Sequence, residues 1–384
     1  MEAKKKLLFV LYSFEIGGTT VSTRHLLSIL DTDKYDVTLW VLRDKGILKW
    51  MYEGVLMLPS CFIIQALTFN SWREGKNWLQ RISSALLRYL AHHSKSILHL
   101  LYKIGIQKSI GNNHFDTVVA CQESVLSEFV SLIKCPNRIA WVRCDYKRYI
   151  SEKGGEKESF YKNYNHIVCV SEQTQKSFVE FYPEFMNRTV CIHNPQDSQL
   201  IINHSNYNDH DSRFNDESTV IVSVGRLDIV KRFDEIPSIA RSLLDKDVNF
   251  KWYIIGEGPE RDTIATKIKD LNVSDHVVML GAKSNPHFYI KHAYLYVCLS
   301  SSEACPRVIN EAKILGTPCV STDFPSIYEF LEDGVNGRIA PLEKIPQTIC
   351  ELLSDKQQYI KIKNEITGFS FDNTLLAKRI YNIL

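Results

Sequence analysis

Short apolar runs alternate with stretches of helical pattern along this chain, and no other feature limits its fold as much. Strands are expected at residues 7–12, 35–42, 117–121, 138–142, 166–170 and 189–193. The series resumes at 219–224, 251–255, 277–280, 294–299 and 319–321. A helix is expected from about 20 to 30, after the Gly17-Gly18 turn, and another carries Ile236, Ile239, Ala240, Leu243 and Leu244 on one face. Strands that alternate with helices point to parallel sheets covered on both faces. At 384 residues the chain exceeds one ordinary core, so two domains are expected. Residues 196–218, rich in Asn, Asp, Ser and His, have the chemistry of a linker. The expected architecture is α/β with two doubly wound domains. One covers 1–195 and the other 219–365, with a polar linker at 196–218 and a C-terminal helix within 366–384.

The remaining composition excludes more than it selects. Net charge is +2, which implies no global attraction to nucleic acid. Ten cysteines are scattered without a Cys-x-x-Cys pair and several fall in apolar runs. They read as buried, reduced thiols of a cytoplasmic protein rather than a disulfide framework or a zinc site. The start, Lys4-Lys-Lys-Leu-Leu-Phe-Val-Leu-Tyr12, is a first buried strand, because its apolar run is short and Glu15 follows it. No apolar run reaches the ~18 residues that span a bilayer.

One stretch is unbalanced. Residues 72–108 include Arg73, Lys76, Arg81, Arg88, Lys95, Lys103 and Lys108 against a single acid, Glu74. Trp72, Trp78, Leu86, Leu90 and Leu98 supply apolar faces. Two readings are open: a basic amphipathic surface for an anionic membrane, or an ordinary helix pair with a solvated basic face.

The chemistry concentrates at Glu303-Ala-Cys-Pro-Arg-Val-Ile-Asn-Glu311. Glu303 lies in a loop after the apolar run 294–299. Glu311 lies on a short helix that Gly316 and Pro318 stop. The opening turn of that helix, around Arg307 and Val308, presents backbone N–H groups and the positive end of a dipole, which together hold an anion. Strand, acidic loop, helix start and second acid can grip a nucleoside diphosphate sugar. Upstream, Arg226 and Lys231 follow the strand 219–224, at the sheet edge where ligands of open α/β sheets collect.

This segment resembles the family-4 retaining glycosyltransferases of the GT-B fold, whose signature is two Glu separated by seven residues. Gly225-Arg226-Leu227 with Lys231, Gly256-Glu-Gly258-Pro-Glu-Arg261 and Asp333-Gly334-Val-Asn336-Gly337 match further family elements over roughly residues 219–345. The resemblance implies two Rossmann-like domains facing a central cleft, and a C-terminal helix that returns to the first domain. It also implies transfer of a sugar, with retention, from a nucleotide sugar to a glycan or lipid-linked acceptor in cell-surface polysaccharide synthesis. A UDP-sugar is expected first and a GDP-sugar next, with no cofactor and no metal. By resemblance, Arg226 and Lys231 neutralise the leaving diphosphate and Glu303 faces the transferred sugar. Glu311 receives the ribose hydroxyls, and Gly225, Gly256, Cys305, Pro306, Arg307 and Val308 line the donor. Gly17 and Gly18 resemble the family's acceptor-side glycine loop, although a plain tight turn accounts for them equally. Arg143 and Asp145 fall where the family carries a His and a short polar stretch. Arg143 in place of that His is a departure that points to a phosphate or an anionic sugar. A membrane contact through 72–108 suits a lipid-linked acceptor.

Rival functions are a sugar-nucleotide epimerase, which would convert the donor without an acceptor, and a non-catalytic sugar-nucleotide binder. A nicotinamide oxidoreductase is disfavoured, because Arg261 stands where the dinucleotide fingerprint has its third glycine. Asp31-Thr-Asp33 and Asp209-His-Asp211 resemble a metal-binding Asp-x-Asp. The first sits at the wrong end of the sheet and the second in the linker.

Overall fold

The computed structural model describes residues 3–15, 17–68, 77–207, 211–214 and 219–384. The chain divides into two units, Met1–Pro195 with Asn373–Leu384, and Gln196–Asp372.

The first unit holds a parallel sheet of β1 (Lys5–Ser13), β2 (Tyr35–Arg43), β3 (Leu56–Leu58), β4 (Thr117–Ala120), β5 (Asn137–Val142), β6 (His166–Cys169) and β7 (Thr189–Cys191). Its order is β3-β2-β1-β4-β5-β6-β7. Leu7 to Leu11 of β1 are buried without a break, as a central strand covered on both faces requires. The helix Thr374–Tyr381 belongs to this unit, where the Tyr381 hydroxyl donates to Ile29 O at 2.8 Å and its ring stacks on Tyr35.

The second unit holds β8 (Thr219–Val224), β9 (Phe250–Ile255), β10 (Val277–Gly281), β11 (Leu295–Cys298), β12 (Cys319–Thr322) and β13 (Arg338–Ala340). These are parallel in the order β10-β9-β8-β11-β12-β13. Side chains alternate between two cores. Ile221, Trp252, Ile254 and Val297 enter one; Val220, Val222, Tyr253 and Tyr296 enter the other. The indole N–H of buried Trp252 donates to Ser223 Oγ at 3.1 Å, and Ser223 Oγ donates to Val297 O at 2.7 Å, so the polar atoms on this face are satisfied.

Each sheet reverses its order once, between β1 and β4 and between β8 and β11. The expected α/β class with doubly wound parallel sheets is the one observed. β3 and β13, three residues each, were not among the expected strands. The stretch expected as linker departs from expectation at its start. Residues Ser198–Ser205 form a helix of the second unit, capped by Asp197, whose Oδ1 accepts from Leu200 N at 2.9 Å, and anchored by buried Ile201. Residues 208–210 and 215–218, and with them Asp209 and His210, lie outside the described residues. The basic stretch resolves into two helices, Trp78–His93 and Lys95–Ile110, with Ser94 capping the second. Trp72, Arg73, Glu74 and Lys76 lie outside the described residues. Among the described residues, no helix is long and apolar enough to cross a membrane.

The loop after β8 interlocks with the loop after β9. Leu227 N donates to Glu257 O and Glu260 N to Leu227 O, each at 3.0 Å. Gly256 has φ +153, and a Cβ there would stand 1.8 Å from Gly225 O. Gly17 is the contrast: its φ of −178 is ordinary extended backbone, and a Cβ would meet nothing within 4 Å. Gly256→Ala is therefore expected to cost about 3 kcal/mol or more, and Gly17→Ala to stay within about 0.5 kcal/mol. Thermal unfolding midpoints of the two variants against the parent check this. Equal midpoints would show that the loop after β9 yields freely.

Candidate functional site

The β8–β11 reversal gathers the expected donor residues. The sheet continues into Gly225, whose N–H donates to Ile255 O at 3.0 Å. Arg226 follows on the surface, and its side chain has no hydrogen bond or ion pair among the described residues. Asp228 then turns the chain, accepting from Lys231 N at 3.2 Å, and the short helical turn Ile229–Lys231 aims Lys231 back across the sheet edge. From the far side of the reversal, β11 leads into Ser300 and Glu303.

Lys231 Nζ lies 2.5 Å from Glu303 Oε1, with the two side chains 25% and 16% exposed. Ser300 Oγ donates to the same carboxylate oxygen at 2.8 Å, and Ser326 Oγ donates to Glu303 O at 2.6 Å. Burial works against the Lys231 ammonium. The Glu303 carboxylate outweighs it, with Cys298 and Asp228 in support, and holds Lys231 above the ordinary lysine range. Lys231, Ser300, Glu303, Pro306, Arg307 and Val308 face one pocket over Tyr296 and Cys298. Arg226, Glu311, Gly225, Gly256 and Cys305 are outside its lining.

The helix Arg307–Ile314 begins at that pocket, and Gly316 at φ +70 ends it, with Thr317 N donating to Ala312 O at 2.9 Å. Its first turn offers less than expected. Arg307 N donates to Cys305 O at 2.9 Å and Ile309 N to Pro306 O at 3.1 Å. Of the first three helical N–H groups, only that of Val308 has no backbone acceptor among the described residues. Glu311 is buried behind the pocket. Arg307 Nη2 meets its Oε1 at 2.6 Å, and His287 Nε2 lies 3.5 Å from its Oε2. A buried carboxylate needs such partners to remain ionised.

In the first unit, Gly17 and Gly18 follow β1 at the other reversal and open the helix Gly18–Ser28. Arg143, just past β5, is bound within the fold. Its Nε donates to Cys121 O at 2.7 Å, and Nη1 donates to Ser22 Oγ at 2.8 Å and to Asn194 Oδ1. The guanidinium also lies over Trp141, 5.1 Å from the ring centroid. Asp145 caps the helix Tyr146–Glu152, accepting from Arg148 N at 3.3 Å. Asp31, one of the Asp-x-Asp decoys, pairs with Lys34 at 3.0 Å in the turn before β2. Asp211, of the other, pairs with Arg213 and Lys283.

Sequence reading missed Ser300, Ser326 and His287. Position could have found Ser300, which stands two residues beyond β11. Ser326 and His287 reach Glu303 and Glu311 from elements distant in the chain, with no local signal.

Residues 206–367 match the family model of glycosyl transferases group 1. An uncharacterized glycosyltransferase of Methanocaldococcus jannaschii is 29% identical over 43% of this chain and 41% of its own length. An N-acetylgalactosamine-N,N'-diacetylbacillosaminyl-diphospho-undecaprenol 4-alpha-N-acetylgalactosaminyltransferase of Campylobacter jejuni is 31% identical over 41% of this chain and 44% of its own. These matches thus span less than half the length of either relative. Whole-chain similarity is structural. Anabaena HepE in complex with UDP-glucose superposes with a TM-score of 0.74 at 16% identity over 98% of both chains. Staphylococcus aureus TarM gives 0.73 at 13% over 99% of both. Residues 206–367 thus resemble the group 1 glycosyl transferases, and the two Rossmann-like sheets of the chain are those of the GT-B fold.

Proposed function

We propose that this protein is a retaining, metal-independent glycosyltransferase that moves a sugar from a nucleoside diphosphate sugar to a glycan or lipid-linked acceptor. The observation that carries the reading is the Lys231–Glu303 pair, set across the β8–β11 reversal beside the start of the helix Arg307–Ile314. A UDP-sugar is the first choice of donor and a GDP-sugar the second. UDP is bound in the Anabaena HepE and Staphylococcus aureus TarM structures, which supports that order. The Campylobacter jejuni relative is named for a diphospho-undecaprenol saccharide, which supports an acceptor built on a lipid diphosphate.

In this reading the diphosphate enters the pocket over Tyr296. Lys231 and Arg226 neutralise it, and the N–H of Val308 donates to it. Lys231, held by Glu303, and the exposed Arg226 supply the electrostatic stabilisation at the leaving group that a metal ion would otherwise give. Glu303 lies where charge on Lys231 and a developing positive charge on the sugar are both met by one carboxylate. Ribose hydroxyls compete with Arg307 for Glu311. Gly17 and Gly18, with no neighbouring atom where a Cβ would stand, form an acceptor-side loop to which a saccharide can come close. Arg143 acts by holding the loops after β4, β5 and β7 in register rather than as a ligand.

Two outcomes are expected. Arg226→Ala should lower release of UDP from a UDP-sugar with acceptor by roughly 10² to 10³, with an unchanged thermal midpoint because the side chain is exposed. Unchanged turnover would remove Arg226 from the site, and an epimerised donor without acceptor would replace transfer as the reaction. Arg143→Met should lose about 2 kcal/mol of stability, seen as a midpoint lower by a few degrees. An unaltered midpoint with a raised KM for donor would instead make Arg143 a ligand.

A further inference from the structure

The helix Trp78–His93 is turned inside out. Five of its large apolar side chains, Trp78, Leu79, Ile82, Leu86 and Tyr89, keep between 56% and 66% exposure. At 3.6 residues per turn they fall on one face. The opposite face, turned to the fold, carries Ser84, which is fully buried, and the half-buried Gln80, Leu87 and Ala91. Single exposed apolar residues are ordinary, but a continuous stripe over three turns is not. The next helix, Lys95–Ile110, adds exposed Leu100 and Ile104.

Charge selects among the occupants of this face. From Asn77 to Ile110 the chain carries Arg81, Arg88, Lys95, Lys103 and Lys108 and no Asp or Glu. Arg81 and Arg88 are seven residues apart, two turns, and so flank the stripe along one edge. A second copy of the chain seated on the stripe would cover the apolar side chains but bring no acidic partner from these helices to Arg81 and Arg88, because a two-fold contact pairs a surface with itself and residues 77–110 hold no Asp or Glu. An acidic surface with an apolar layer beneath it satisfies both the stripe and its border. Trp and Tyr among the stripe residues suit the boundary between headgroups and acyl chains.

We propose that the helix Trp78–His93 lies in the surface of an anionic phospholipid bilayer, with Ile82 and Leu86 entering the acyl boundary and Arg81 and Arg88 at the headgroups. This is a geometry of interfacial rather than spanning helices. It makes the first unit a membrane-docked unit, and it rests on the first unit alone, so it stands whichever donor the second unit takes.

Co-sedimentation of the full chain with large unilamellar vesicles tests it. Vesicles of phosphatidylcholine with phosphatidylglycerol should bring the protein down, pure phosphatidylcholine should do so far less, and raised salt should weaken binding. The double variant Ile82→Ser with Leu86→Ser keeps every charge, alters only exposed positions, and should bind roughly tenfold more weakly or worse. Arg81→Gln with Arg88→Gln should lose most of the preference for phosphatidylglycerol. Circular dichroism and the thermal midpoint of both variants should match the parent. No sedimentation of the parent with anionic vesicles would overturn the proposal, as would serine variants that sediment like the parent. A concentration-dependent dimer by light scattering, abolished by the serine variants, would assign the stripe to a second copy instead.

Discussion

β8 and β11 are hydrogen-bonded neighbours that the chain does not join directly, and the candidate site follows from this constraint. After β8 the chain moves outward to β9 and β10. It then returns to add β11 on the other side of β8. Connections leave the two strands toward opposite faces of the sheet, so no crossover fills the space at their carboxyl ends. Into that space come the loop after β8 with Lys231 and the loop after β11 with Glu303. The core beneath fixes both. Val222, Tyr296 and Ile309 pack in one cluster, and Ile221, Leu227 and Phe233 in the other. Lys231 is therefore flanked by residues anchored in the core, Leu227 before it and Phe233 after it.

The Lys231–Glu303 pair has a cost as well as a use. Two partly buried charges lose hydration, and attraction between them, with hydrogen bonds from Ser300, offsets the loss. Such a pair is weak evidence for stability. Its value is positional: an ammonium held in low dielectric beside an open pocket interacts with an arriving anion more strongly than one in water. Glu311 is placed differently: it is buried behind the pocket wall, where Arg307 and His287 meet its carboxylate.

Much of this was legible in the residues. The strand 219–224 was placed to the residue, because Val, Ile and Val with flanking polar residues leave no other reading. Glu303, Lys231 and Arg307 were identified by position after strands and by resemblance, and the structure brings them to one pocket. The rest depends on contacts between distant segments. Nothing local announces the partners of Arg143, which come from residues 22, 121 and 194. The N–H groups of the helix's first turn were expected for the ligand, but Cys305 O and Pro306 O take those of Arg307 and Ile309, a matter of backbone torsion that residue types do not reveal. The helix Ser198–Ser205 was hidden because polar residues dominate the composition of 196–218, and of its two buried residues, Ile201 and Ser205, only the first is apolar. The outward apolar face of Trp78–His93 was visible as amphipathicity, but only the fold tells which side is turned to solvent.

Lys231, held by Glu303 at the strand-order reversal, is proposed as the anchor of a nucleoside diphosphate. Calorimetric titration of UDP and GDP into the parent and into Lys231→Gln tests it most directly. The parent should bind a nucleoside diphosphate saturably. Affinity should be lower by roughly tenfold or more in the variant, since a charge-assisted contact is lost. Equal affinity in the two proteins, or no binding of either nucleotide by the folded parent, would contradict it.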